Sequence, residues 1–174
     1  MAKKQSPKAT PEREKCVSQI NGNKKTLANL LFIMEDYLGM LTDEYSDIDS
    51  YYFTVCPLLD YQKDNIYYSD GAVSLEVCLI TKNEVRGLLR IVYSKIRNGF
   101  CISNICLPEF LKHKGIGLYL IEICYKVTRY YDYQLYLVQM VDSFFNRMLR
   151  RGAAQSGIDE VVINENTDLT IHKQ

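Results

Sequence analysis

The chain has 174 residues, a formal net charge of zero and 47 per cent hydrophobic residues. That length fits one domain, and that apolar share excludes wholesale disorder. The longest apolar runs, such as Leu30-Leu31-Phe32-Ile33-Met34, are too short to span a bilayer. No apolar core follows the basic start Met1-Ala2-Lys3-Lys4, so the sequence reads as a cytoplasmic protein without a secretory signal.

Residues 1–25 hold seven basic residues against Glu12 and Glu14, a net of +5. They are polar and lack apolar periodicity, so they read as a flexible basic tail ahead of one domain over 26–174. No aromatic residue interleaves the lysines, which argues against stacking on bases and against a nucleic-acid role. Thr26 is placed as an N-cap. Leu27, Leu30, Leu31, Met34 and Leu38 then recur on one helical face, and Gly39 is placed near its end. The acidic stretch 42–50 is expected as loop or a second short helix. Residues 51–56 are aromatic and β-branched and read as a strand that Pro57 ends.

Ala72–Ile80 and Val85–Tyr93 read as strands joined by the turn Thr81-Lys82-Asn83-Glu84. Asn98-Gly99 is a turn signal, and Phe100–Leu107 follows as a third strand of an antiparallel meander. The period then changes. Gly115-Ile116-Gly117 opens a helix to about Tyr130, with Ile116, Leu120, Ile123, Cys124 and Val127 on one face. Tyr133–Val141 is predicted as a strand, and Ser143–Arg151 as a helix capped by Asp142 or Ser143 and stopped at Gly152. Glu160–Thr170 is predicted as a last strand.

The six cysteines form no C-x-x-C pair and the two histidines, His113 and His172, lie far apart, so neither a zinc site nor any other metal site is expected. The segment Asn104-Ile105-Cys106-Leu107-Pro108-Glu109-Phe110-Leu111-Lys112-His113-Lys114-Gly115-Ile116-Gly117 carries the chemistry. A strand runs into a basic loop, two glycines and a helix. The first turn of a helix leaves N–H groups unpaired and adds partial positive charge, while glycines let backbone approach a phosphate. A meander before it counts against a dinucleotide-binding βαβ unit, and no Gly-Lys-Ser/Thr completes a phosphate-binding P-loop.

Lys112-His113-Lys114-Gly115-Ile116-Gly117 resembles the Arg/Gln-x-x-Gly-x-Gly/Ala signature of the GNAT superfamily of N-acyltransferases, with lysine in the Arg/Gln place. Cys106-Leu107-Pro108 resembles the element before it, and Arg150-Arg151-Gly152-Ala153 resembles the family's basic-Gly-apolar close. The layout likeness covers about residues 26–170, the motif likeness residues 104–153. The resemblance implies an α/β fold with a mixed, mostly antiparallel central sheet and helices on both faces. It implies acetyl-CoA as co-substrate, with its pantetheine arm along Ile105, Cys106 and Leu107 and its pyrophosphate on Lys112, His113, Lys114, Gly115, Ile116 and Gly117. The acceptor would be an amine on a small molecule or protein, entering where the fourth and fifth strands splay apart; a homodimer is compatible with the sequence.

Two departures from the family stand out. Met148 occupies the usual place of a general-acid tyrosine, and Phe100–Leu107 holds no carboxylate for a general base. Ser103, Asn104 and Ser143 are the substitute candidates for ordering a water or the amine, with Asp142 beside them. Tyr119, Tyr130, Tyr131, Tyr133 and Tyr136 read as half-buried packing. Cys106 has no evident basic partner and reads as core. The functional reading is acetyl transfer from acetyl-CoA to an amine. The alternative is a catalytically silent protein of the same fold that binds coenzyme A or a protein partner.

Overall fold

A computed structural model describes residues 24–57, 73–94 and 96–171, leaving out the side chains of 24, 55–57 and 73. The predicted tail lies outside these residues, apart from Lys24 and Lys25, which open the first helix. That helix, α1, spans Lys24–Glu44. It continues past the expected stop because the apolar spacing does: Leu38 and Leu41 are both buried with Leu27, Leu30, Leu31 and Met34. Gly39 is therefore interior, and an added Cβ there would lie 3.7 Å from the Tyr51 hydroxyl. Thr26 is not a cap. It is buried within the first turns.

Strands β1 (Ile48–Pro57), β2 (Val73–Thr81), β3 (Val85–Ser94) and β4 (Gly99–Ile105) follow. The acidic stretch is thus divided between the end of α1 and the start of β1. Asn98 takes the left-handed φ of 46° that its turn requires. Helix α2 spans Ile116–Tyr130, and β5 covers only Gln134–Leu137. Helix α3 is Asp142–Arg150, capped by the extended residue Val141 without any side-chain bond. The expected capping by Asp142 or Ser143 is therefore corrected. Asp142 stands in the first turn, where a carboxylate suits the helix dipole. Short strands β6 (Ala154–Gln155) and β7 (Val161–Ile163) close the chain's regular structure. The long last strand predicted to Thr170 ends at Ile163. Beyond it runs an irregular strap over residues 164–171.

One seven-stranded sheet has the order β1-β2-β3-β4-β5-β7-β6. Every neighbouring pair is antiparallel except β4 and β5, which are parallel because α2 carries the chain back between them. α1 packs on α2 and β1, α2 also on β4 and β5, and α3 on β7. The apolar stripes of α1 and α2 meet Leu75, Val77, Leu79, Leu89, Ile91, Phe100 and Ile102 in one core. Each fully buried leucine or isoleucine there contributes about 1.5–3 kcal/mol relative to an exposed one. The fold is therefore mixed α/β, with a mostly antiparallel sheet.

Candidate functional site

The site begins with a fault in β4. Arg90 of β3 faces Asn104, while the next residue, Ile91, faces Ile102. Ser103 is the extra residue, a β-bulge. β5 follows β4 only along Gly99–Ile102, and the Val138 N–H donates to the Ile102 carbonyl at 3.0 Å as their last bond. The chain after β5 then turns away: Gln139 has a φ of 55°, and the Met140 N–H donates to the Asp159 carbonyl. This is why the strand predicted to Val141 stops at Leu137.

β4 keeps β3 on its other side. Leu89 faces Ile105, and the Cys106 N–H donates to the Leu88 carbonyl at 2.9 Å. Successive strand residues turn their backbone groups to opposite sides, so Ile105 presents its N–H and carbonyl to the gap that β5 has left.

Pro108 and Leu111 are buried and pin the connection to α2, with a single 3-10 turn over Glu109–Leu111. His113 takes a left-handed φ of 61°, and Gly115, the N-cap of α2, one of 80°. The first bond of the helix runs from the Tyr119 N–H to the Gly115 carbonyl at 3.0 Å. Among the described residues, the N–H groups from His113 to Leu118 find no acceptor. Unpaired donors at a helix start, with the partial positive charge of the helix end, are a setting that suits an anion.

The two glycines differ in role. A Cβ on Gly117 would lie 3.6 Å from Leu107 Cδ1 and 3.8 Å from Ile105 Cγ2, so the absent side chain keeps open the seam between α2 and the free arm of β4. A Cβ on Gly115 would strike Ile171, whose three outer carbons lie 2.6–2.8 Å away. At Gly115 the space a side chain would fill is taken by Ile171 of the C-terminal strap, a neighbour the sequence did not reveal.

The loop lysines are partly engaged. Lys112 Nζ meets Glu109 Oε2 at 2.6 Å and holds that carboxyl below its usual range. Lys114 Nζ sits 4.3 Å above the Tyr45 ring. Ile105 and Leu107 face the first turn of α2, while Arg86 Nη1 lies 3.8 Å from Cys106 Sγ. Cys106 is half-buried and has the basic neighbour that the sequence did not reveal. The register of β3 against β4 creates that pair.

Ser103 Oγ is buried and lacks a hydrogen-bond partner among the described residues. Asn104 is exposed beside Arg90, which forms an ion pair with Glu76 on β2. That pair places a carboxylate two strands across from Asn104, and nothing local in the sequence marked it. Ser143 is exposed on α3, a helix that packs on β7, and so stands apart from the β4 arm. Met148 is fully buried. Tyr130 and Tyr131 lie at the far end of α2, about 20 Å from its start at 1.5 Å per residue, and the Tyr131 hydroxyl accepts from Asn29. Tyr136 pairs with Cys101, before the splay, and its hydroxyl donates to Gln134. Tyr133 meets Tyr93 and Phe100 edge to face, and Tyr119 packs tilted against Tyr37.

Among the described residues, no cluster of His, Cys, Asp or Glu could hold a metal, and no helix is long and apolar enough to cross a membrane. No family model matches the chain, and no curated protein does. Among solved structures, a domain from Methanocaldococcus jannaschii DSM 2661 is similar at 12% identity over 65% of this chain and 97% of that one, with a TM-score of 0.36.

Proposed function

We propose that the chain is a GNAT-type N-acyltransferase whose β4 arm and α2 start hold acetyl-CoA. One observation carries this reading: the stretch of β4 released from β5 leads, through the short connection 106–112 with its 3-10 turn, to the six unpaired N–H groups of residues 113–118. A ligand with an extended amide-bearing arm and a pyrophosphate matches both halves. The arm pairs with Ile105 as an added strand would, and the pyrophosphate takes the N–H donors. Gly117 leaves the seam between them open. Lys114, seated over the Tyr45 ring, supplies cationic charge in the loop itself.

The reaction follows from the placement of the thioester at the bulge. A neutral amine entering between β4 and β5 attacks the thioester carbonyl. The C–N bond forms, the C–S bond breaks, and coenzyme A leaves as thiolate while the amine's spare proton passes to water. A thiolate is a good leaving group because thiol pKa values lie near ~8.5. Proximity and orientation therefore account for most of the rate. The buried Ser103 hydroxyl offers a hydrogen bond to the amine or the carbonyl oxygen at that point.

A silent coenzyme A-binding protein is the second reading. The full burial of Met148, at the place where the family usually keeps its tyrosine, favours it. Titration calorimetry with coenzyme A tests what the two readings share. Wild type is expected to bind and a folded Gly117→Val chain to lose binding, and equal affinity in both would sink the site. Release of free thiol from acetyl-CoA over a panel of amines then separates the enzyme from the silent protein.

A further inference from the structure

Two glycines among the described residues have positive φ, Gly115 at 80° and Gly152 at 88°. They lie 37 positions apart, at the start of α2 and just past the end of α3. The same short segment fills the space beside each. A Cβ on Gly152 would lie 2.4 Å from the Asn166 carbonyl oxygen, and one on Gly115 would strike Ile171. Between these contacts Arg151 Nη1 donates to the Asp168 carbonyl at 2.8 Å and to that of Thr170 at 3.2 Å. The Asp168 N–H donates back to the Arg151 carbonyl at 2.7 Å. Leu169 is buried between the polar anchors, whereas Ile171 stays 48% exposed.

We infer that this strap, residues 164–171, is a clamp that joins the end of α3 to the start of α2 and holds the anion loop in its binding shape. The chain enters α2 through left-handed backbone at Gly115, and glycine alone has little intrinsic preference for that conformation. Ile171 packs where a side chain would otherwise be and restricts the alternatives. Arg151 sets the position of Ile171 through the strap's carbonyls. Arg151 and Ile171 are positioning residues for the loop, and neither contacts the ligand in this account. The benefit to binding is preorganisation: a loop already shaped loses less freedom when it binds. The ligand half of this inference rests on the coenzyme A reading above.

The experiment uses the full chain with Ile171→Ala, Arg151→Ala and the conservative control Ile171→Val. Amide exchange in the absence of ligand reports the clamp directly. The Tyr119 amide, bonded to the Gly115 carbonyl, is expected to exchange about tenfold faster in both alanine variants. Amides from Ile123 to Val127 in the middle of α2 should keep their rates. Coenzyme A affinity is expected to fall about tenfold in the alanine variants, with Ile171→Val close to wild type. Unchanged Tyr119 exchange in Ile171→Ala overturns the clamp, even if wild type binds no coenzyme A and the ligand reading fails separately. Faster exchange with unchanged affinity, in a chain that does bind, overturns the link between clamp and site. Because Ile171 is half-exposed, its alanine variant keeps the core and remains a fair test should Arg151→Ala fold poorly.

Discussion

At the residue scale, Gly115 and Gly117 look alike in sequence and differ in what substitution does. Gly117 lies in the first turn of α2 with ordinary space around its missing Cβ. Gly117→Ala is expected to leave stability within about 1 kcal/mol of wild type or to raise it, since alanine is the better helix former. Gly115→Ala meets both a positive φ and Ile171, and is expected to cost about 2 kcal/mol or more. Urea unfolding of the two variants checks the contrast, and equal midpoints would contradict it. Ser103 gives a second case. Its hydroxyl is buried without a partner, so Ser103→Ala loses no internal hydrogen bond and should keep the melting temperature or raise it. If the hydroxyl serves the reaction, kcat/KM should nevertheless fall about tenfold. A fall in stability with unchanged turnover would assign Ser103 to the fold instead. None of these distinctions was legible in the sequence. The run 104–117 announced a strand, a loop and a helix start, but which neighbour meets which glycine depends on Ile105, Leu107 and the distant Ile171.

At the element scale, the helical period of Leu27, Leu30, Leu31, Met34 and Leu38 and the turn at Asn98-Gly99 were readable because they are local patterns. Boundaries set by tertiary contact were not. α1 runs through Gly39 because its buried stripe continues; β5 stops where the chain leaves β4; and the last predicted strand gives way to the strap. Arg97 and Glu160 show the same limit across 63 positions. Arg97 Nη1 meets Glu160 Oε1 at 2.7 Å, with Glu160 3% and Arg97 16% exposed, and Ser156 donates to the same oxygen. This pair fastens the β3–β4 turn to the start of β7, the strand that pairs with β5. Removing one partner leaves a buried charge, so Arg97→Met is expected to cost about 3 kcal/mol. Replacing both, Arg97→Met with Glu160→Leu, should recover most of that loss. Chemical denaturation of the single and double variants decides it. A double variant no more stable than the single one would show that the pair contributes packing or specificity beyond its charges.

At the scale of the whole molecule, alkaline pH acts on stability and on the proposed reaction over different ranges. Burial is the main cause that raises Tyr37 from 10.0 to about 12, with Tyr119, Tyr45 and Glu44 adding to it. Burial also raises the Cys101 thiol from 9.0 to about 12 against the opposing charge of Arg97, and pushes the Cys124 thiol upward. All three groups are neutral when protonated. Between the ordinary and the raised value the folded chain holds protons that the unfolded chain has released. Their contribution is therefore complete below about pH 9 and is lost progressively as pH rises toward 12. The melting temperature should be level from pH 7 to about 9 and decline above that. Within the level range an amine acceptor with a lysine-like pKa near ~10.4 gains about tenfold in neutral form per pH unit. With no internal base needed, kcat/KM should rise with a slope near one in log units from about pH 7 to 9. Tyr136, raised chiefly by burial, stays protonated throughout, so Tyr136→Phe should keep both the slope and most of the rate. A bell-shaped profile within that range, or a loss of about a hundredfold in Tyr136→Phe, would reveal a general acid or base and overturn the account of transfer by placement alone.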